Sequence, residues 1–191
     1  MRTGIFGGTF DPPHVGHLLA ATDALDLLAL DRVVWVPVAQ QPLKTGQPVT
    51  PGSDRLAMVR AAIGGVSRFS ADALELERGG LSYTIDTLRA FHARGQDGPL
   101  ALFLLLGADA AATLPKWREP EAIAQLSEIV VLTRDTAEPA HAWPAAWRVL
   151  ATRRVEVSST EVRARVATGR SIRGFVPDAV AEYIAAAGLY R

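Results

Sequence analysis

A chain of 191 residues with 49% hydrophobic content can bury a core without staples, so one compact domain spanning 1–191 is expected. Twenty Lys and Arg balance twenty Asp and Glu, which excludes the excess positive charge that draws nucleic acid or an anionic membrane at long range; any phosphate site must be local. Cysteine is absent, which excludes disulfide frameworks, thiolate metal sites and a cysteine nucleophile. Met1-Arg2-Thr3 leads straight into an apolar strand with no signal-peptide core, and no apolar run is long enough to cross a bilayer, so a cytoplasmic location is expected.

Short β-branched or leucine-rich runs alternate with stretches of helical period, the pattern of a parallel sheet covered by helices. A strand at Thr3 to Phe6 precedes a helix at Val15 to Leu30, and a strand at Val33 to Val36 precedes helices at Asp54 to Ile63 and Thr84 to Ala93. Then come a strand at Leu100 to Leu106, a helix at Pro120 to Leu126, a strand at Ile129 to Thr133 and a last strand near Val155 to Val157. Helices at Ser159 to Thr168 and Pro177 to Ala187 close the chain, each followed by glycine, at Gly169 and Gly188. Gly95 falls at a helix stop and Pro120 at a first turn. Gln40 to Gly52 and Asp135 to Pro144 hold most of the proline and polar punctuation and read as surface loops. Trp35, Met58, Ile63, Ile123 and Ile129 read as core, while Trp143 and Trp147 lie in or after the second loop. The expected architecture is α/β, a Rossmann-like doubly wound, mostly parallel sheet with C-terminal helices.

The first strand runs into Gly7-Gly8-Thr9-Phe10-Asp11-Pro12-Pro13-His14-Val15-Gly16-His17. No Gly-Lys-Ser/Thr follows, so this is not a P-loop, and the dinucleotide glycine spacing is missing. In an open α/β sheet, ligands sit beyond the carboxyl ends of the strands. Gly7 and Gly8 let amides approach an anion, and the helix after Pro13 aims its positive end at the same place. His14 and His17, three apart, share one face of its first turn, with Gly16 bare between them. The plainer alternative is that the glycines only make a turn and the histidines cap a helix; a zinc site is disfavoured, because His-x-x-His lacks the His-Glu-x-x-His spacing.

Much later, Ser158-Ser159-Thr160-Glu161 has the Ser-x-x-Glu spacing of a capping box, and Arg163 can share a face with Ser159 and Thr160. It reads either as a second phosphate site or as a capped helix with a solvated arginine. Together the two segments resemble the nucleotidyltransferase superfamily, whose first turn reads Gly-x-Phe-Asp-Pro-x-His-x-Gly-His and whose late helix begins Ser-Ser-Thr-x-x-Arg. Within it the chain is most similar to the bacterial nicotinate-nucleotide adenylyltransferase family, over nearly its whole length. The likeness extends to Ser82-Tyr83-Thr84-Ile85-Asp86-Thr87-Leu88, to Gly107-Ala108-Asp109 through Leu114-Pro115-Lys116-Trp117, and to Arg134 after its strand. It also covers Ser171-Ile172-Arg173 through Val176-Pro177 to Leu189-Tyr190. One place departs: where the family has Pro-Pro-His-Lys, this chain has Gln41-Pro42-Leu43-Lys44, so any role of that histidine is absent or covered elsewhere.

The resemblance implies attack of a mononucleotide phosphate on the α-phosphorus of ATP, with pyrophosphate leaving and Mg²⁺ bound with ATP. ATP and nicotinate mononucleotide are the implied partners, with neither nucleic acid nor membrane. His14 and His17 are then the catalytic stabilisers of the ATP phosphates, which Lys44 and Arg163 neutralise and Ser158, Ser159 and Thr160 help to hold. Gly8 and Phe10 lie near the nucleotide, and Gly107 and Asp109 face a ribose. Thr9 touches the mononucleotide phosphate; Tyr83, Thr84, Trp117 and Arg134 serve the mononucleotide, Trp117 by stacking on the pyridine ring. Judged without that context, Asp109, Ser82 and Thr84 are equally helix caps. Two rival readings are a sister transferase acting on phosphopantetheine or another phosphorylated alcohol, and a sensor that binds ATP without turnover.

Overall fold

The computed structural model describes residues 1–43, 49–95, 100–133 and 143–191. Six strands form one sheet: β1 (Arg2–Gly8), β2 (Arg32–Pro37), β3 (Phe69–Ala71), β4 (Ala101–Gly107), β5 (Glu128–Thr133) and β6 (Arg148–Ala151). They stand in the order β3-β2-β1-β4-β5-β6, and all five pairings are parallel. This is the doubly wound order, with β1 and β4 side by side where the winding reverses. Burial on both faces explains the unbroken apolar runs: Phe103 and Leu105 of β4 point into one core, and Leu102, Leu104 and Leu106 into the other.

Helices α1 (Val15–Leu27) and α2 (Gly52–Ile63) cover the first face. The second is covered by α3 (Leu74–Arg78), α4 (Thr84–Arg94), α5 (Ala108–Thr113), a 3-10 turn (Leu114–Lys116) and α6 (Pro120–Leu126). The C-terminal helices α7 (Ser159–Ala167) and α8 (Asp178–Ala187) make a third cluster against Met58 and Ala62 of α2. Trp35, Met58, Ile63, Ile123 and Ile129 are all buried, as read from the sequence. Trp143 and Trp147 stack on one another against the second core.

Three differences from the sequence reading have local causes. The strand expected near Val155 to Val157 is not one: β6, seven residues earlier, takes the edge beside β5, and Val155 and Val157 pack into the third cluster instead. Helix α1 stops at Leu27 because Ala29 takes φ 46°, which turns Leu30 back into the core. Strand β3 and helix α3, at three and five residues, are too short to show a period.

Candidate active site

The site begins where β1 ends, between β2 and β4, whose crossovers run to opposite sides and open a crevice there. A Cβ on Gly7, or on Gly107 of the neighbouring β4, would meet nothing within 4 Å, so bare backbone faces the crevice. Gly8 has another reason to be glycine, since a Cβ there would stand 2.9 Å from the Phe10 ring. Phe10 takes φ 50°, a region that a bulky residue enters only when its surroundings hold it there. Its ring is buried against Phe6 and Trp35, at centroid distances of 5.5 and 5.1 Å.

His14 is the N-cap of α1. Its Nδ1 accepts from the His17 N–H at 3.3 Å, and the Nδ1 of His17 accepts from the His14 N–H at 3.2 Å. This is a capping box with imidazoles in both places. The rings stack 3.6 Å apart, and His14 lies over Gly16, where a Cβ would be only 3.1 Å away. An Nδ1 that accepts a backbone N–H carries no proton, so each neutral ring holds its hydrogen on Nε2 as a donor. The two readings of these histidines are therefore both met: they share a face and they cap the helix. The Val15 N–H donates to the Phe175 carbonyl at 3.0 Å, and those of His14 and His17 close the cap.

Helix α7 docks onto the same turn. Ser158 caps it by accepting from the Glu161 N–H at 3.1 Å, and Ser159 Oγ donates to the Pro12 carbonyl at 2.8 Å. The Arg163 guanidinium donates to the Asp11 carbonyl at 2.7 Å and to Thr160 Oγ1 at 3.3 Å. Sequence reasoning put these residues together but missed what holds the turn from beneath. Arg55 is 2% exposed, and its guanidinium donates to the carbonyls of Thr9 and Thr50, each at 2.9 Å. The Asp11 carboxylate accepts from the Tyr190 hydroxyl at 2.6 Å and from the Thr50 N–H at 3.2 Å. Burial lowers the Arg55 pKa against the pull of Asp11 and Tyr190, and burial followed by the Asp11 bond raises that of Tyr190. A signal for Arg55 was present: it falls at helical spacing with Met58, Val59 and Ala62, all buried.

Across the crevice, α4 starts from Tyr83, which caps it with no side-chain hydrogen bond. The cap reading of Ser82 and Thr84 is thus overturned: Thr84 is the first helical residue, and Ser82 Oγ accepts from the Ala39 N–H at 2.9 Å. Trp117 follows the 3-10 turn with its Nε1–H donated to Thr113 Oγ1 at 2.9 Å. Beside it, Arg118 lies over the Tyr83 ring at 5.0 Å and pairs with Asp86 at 3.7 Å, which joins the Trp117 segment to the start of α4. Gly107 ends β4 and caps α5, so Asp109 is a first-turn residue and not the cap; it is exposed. Lys44 and Arg134 lie outside the described residues. Among the described residues no group of three or more His, Asp or Glu stands together to hold a metal ion, and no helix is long and apolar enough to cross a membrane.

The cytidylyltransferase-like family pattern matches residues 5–165. A protein of Gemmatimonas aurantiaca named probable nicotinate-nucleotide adenylyltransferase is 51% identical over 199 residues, covering 100% of this chain and 93% of its own. A Thermus thermophilus protein of the same name is 44% identical over 191 residues, covering 100% of both chains. Among solved structures, the nicotinic acid mononucleotide adenylyltransferase of Plasmodium falciparum, complexed with APC, superposes with a TM-score of 0.78 at 17% identity. That match covers 99% of this chain and 96% of the other. At that identity the likeness is one of fold.

Proposed function

Because the chain belongs to the nicotinate-nucleotide adenylyltransferase family of cytidylyltransferase-like proteins, we infer that it transfers AMP from ATP to nicotinate mononucleotide. The products are nicotinate adenine dinucleotide and pyrophosphate, in a step of NAD biosynthesis. A phosphate oxygen of the mononucleotide bonds to the α-phosphorus as the bond from that phosphorus to the bridging oxygen of pyrophosphate breaks. A phosphate monoester has its second pKa near 6, so at pH 7 roughly nine-tenths is already the dianion and no general base is needed. The barrier lies in repulsion between anions and in charge growing on the leaving group, and positioning with electrostatic stabilisation lowers it.

The observation that carries this reading is the reciprocal cap between His14 and His17. It fixes both imidazoles as Nε2–H donors beside the bare glycine backbone, and neutral donors can serve phosphates without being spent in a proton transfer. Arg163 and Lys44 neutralise the triphosphate, with Ser158, Ser159 and Thr160 beside it. Gly8 and Phe10 shape the turn under the nucleotide, and Gly107 and Asp109 take the ribose, for which the exposed carboxylate is suited. Thr9 meets the mononucleotide phosphate; Tyr83, Thr84, Trp117 and Arg134 serve the pyridine end. Mg²⁺ would come with ATP and would supply charge neutralisation at its phosphates. A reaction between two freely diffusing metabolites fits the cytoplasm.

Pyrophosphate release from ATP, measured with nicotinate mononucleotide, nicotinamide mononucleotide and phosphopantetheine as acceptors, tests the assignment. Release is expected with the first. Release with phosphopantetheine alone would indicate the sister transferase, and tight ATP binding with no release under any acceptor would indicate a sensor.

A further inference from the structure

Beneath the turn that leads into α4 lies a carboxyl that the reaction does not use. Glu75, in the first turn of α3, is 5% exposed. Its Oε1 accepts from the hydroxyl of Thr87, a buried residue of α4. Its Oε2 is buried with no hydrogen-bond partner among the described residues. Ser82, at the start of that turn, is held on two sides by backbone. The Ser82 Oγ accepts from Ala39 N–H, and the Ser82 N–H donates to the Gln40 carbonyl, both at 2.9 Å.

We propose that Glu75 is a positioning residue for the mononucleotide end of the site, setting the direction of the turn from Ser82 to Thr84 through its hold on Thr87 of the helix that follows. This rests on reading that turn as the seat of the pyridine's acid group. Tyr83 caps α4 without a side-chain hydrogen bond, so nothing local fixes the dihedrals that aim the first amides of the helix. The hold comes from below, at Thr87 one turn into the helix. Burial pushes the carboxyl above the ordinary glutamate range, against the pull of Thr87, Ser82 and, least, Arg78. What Thr87 requires of it is an acceptor at Oε1.

Glu75→Gln keeps an uncharged acceptor, while Glu75→Ala removes it. Glu75→Ala should raise the KM for nicotinate mononucleotide about tenfold, the loss of one net hydrogen bond's worth of order. Its kcat and its KM for ATP should stay within about twofold, and amide hydrogen exchange across Tyr83 to Asp86 in the ligand-free protein should quicken. Glu75→Gln should match the wild type in both measurements. Equal rises in both KM values, unchanged exchange in Glu75→Ala, or a Glu75→Gln protein as impaired as Glu75→Ala would each overturn the proposal. If Glu75→Ala does not fold, Glu75→Asp takes its place, because its shortened side chain should loosen the same amides. Exchange is read without substrate, so a failure of the assigned reaction would appear separately, as a wild type that releases no pyrophosphate with nicotinate mononucleotide.

Discussion

Replacing His17 separates two jobs that one ring performs. Its Nδ1 closes the cap of α1, and under the proposed function its Nε2–H serves a phosphate. Glutamine at the same helix position can also reach back to the cap amide. His17→Gln should therefore melt close to the wild type yet turn over about 10² more slowly, the usual cost of losing an oxyanion-type donor. His17→Ala should lose both, with about 1 kcal/mol of stability gone as well. Thermal melts and steady-state rates on the pair decide it; a His17→Gln enzyme with normal turnover would remove His17 from the chemistry. Ring ¹⁵N chemical shifts should show Nδ1 bare and Nε2 protonated in both histidines of the neutral form. The spacing of the two residues was legible in the sequence, but their reciprocal cap was not, because imidazoles rarely fill both places of a capping box.

At the level of elements, the proposed function divides the two substrates between α7 and α4. Arg163 of α7 donates to the Asp11 carbonyl. Arg163→Lys keeps the charge and loses the planar fork, so it should raise the KM for ATP about tenfold and leave that for the mononucleotide within about twofold. Kinetics that move the mononucleotide instead would reverse the two assignments. On α4, a preference for nicotinate over nicotinamide mononucleotide of about two to four powers of ten in kcat/KM is expected, because donors at a helix start favour a carboxylate. Asp86 could blunt that preference by accepting from an amide, but Arg118 engages it at 3.7 Å. Arg118→Ala should free Asp86 and narrow the gap by several-fold when the two mononucleotides compete. Four of the six strands of this scheme were readable from apolar runs and capping signals, and β1, β2, β4, β5, α2, α4 and α6 fall within a few residues of expectation. What escaped was short or tertiary. Strand β6 reads Arg-Val-Leu-Ala, four partly exposed residues with no strong pattern, whereas Val155 to Val157 alternates like a strand but packs as a loop.

Taken whole, the molecule brings Tyr190 back to Asp11 across 179 residues. Tyr190→Phe removes a hydrogen bond to a carboxylate, worth about 1.5 to 3 kcal/mol, and should lower Tm by about 5 °C. The pH dependence follows from the raised Tyr190 pKa: the folded state holds the phenolic proton more tightly than the unfolded chain does. That stability is complete below the unfolded value of about 10 and is lost as pH rises through the folded one. Tyr183, raised by its bond to Asp54, shifts the same way. Tyr190→Phe should therefore flatten the alkaline limb of a stability profile only in part, and a limb that stays as steep would show the Asp11 bond to be unimportant. Arg55 makes the same closure from within, because its guanidinium spans the Thr9 and Thr50 carbonyls. One consequence concerns time. A ribosome adding about 5 to 20 residues per second needs roughly ten to forty seconds to travel from Asp11 to Tyr190. Throughout that interval the nascent chain carries the turn at Asp11 without the hydroxyl that completes it, so a loop made early is among the last to mature.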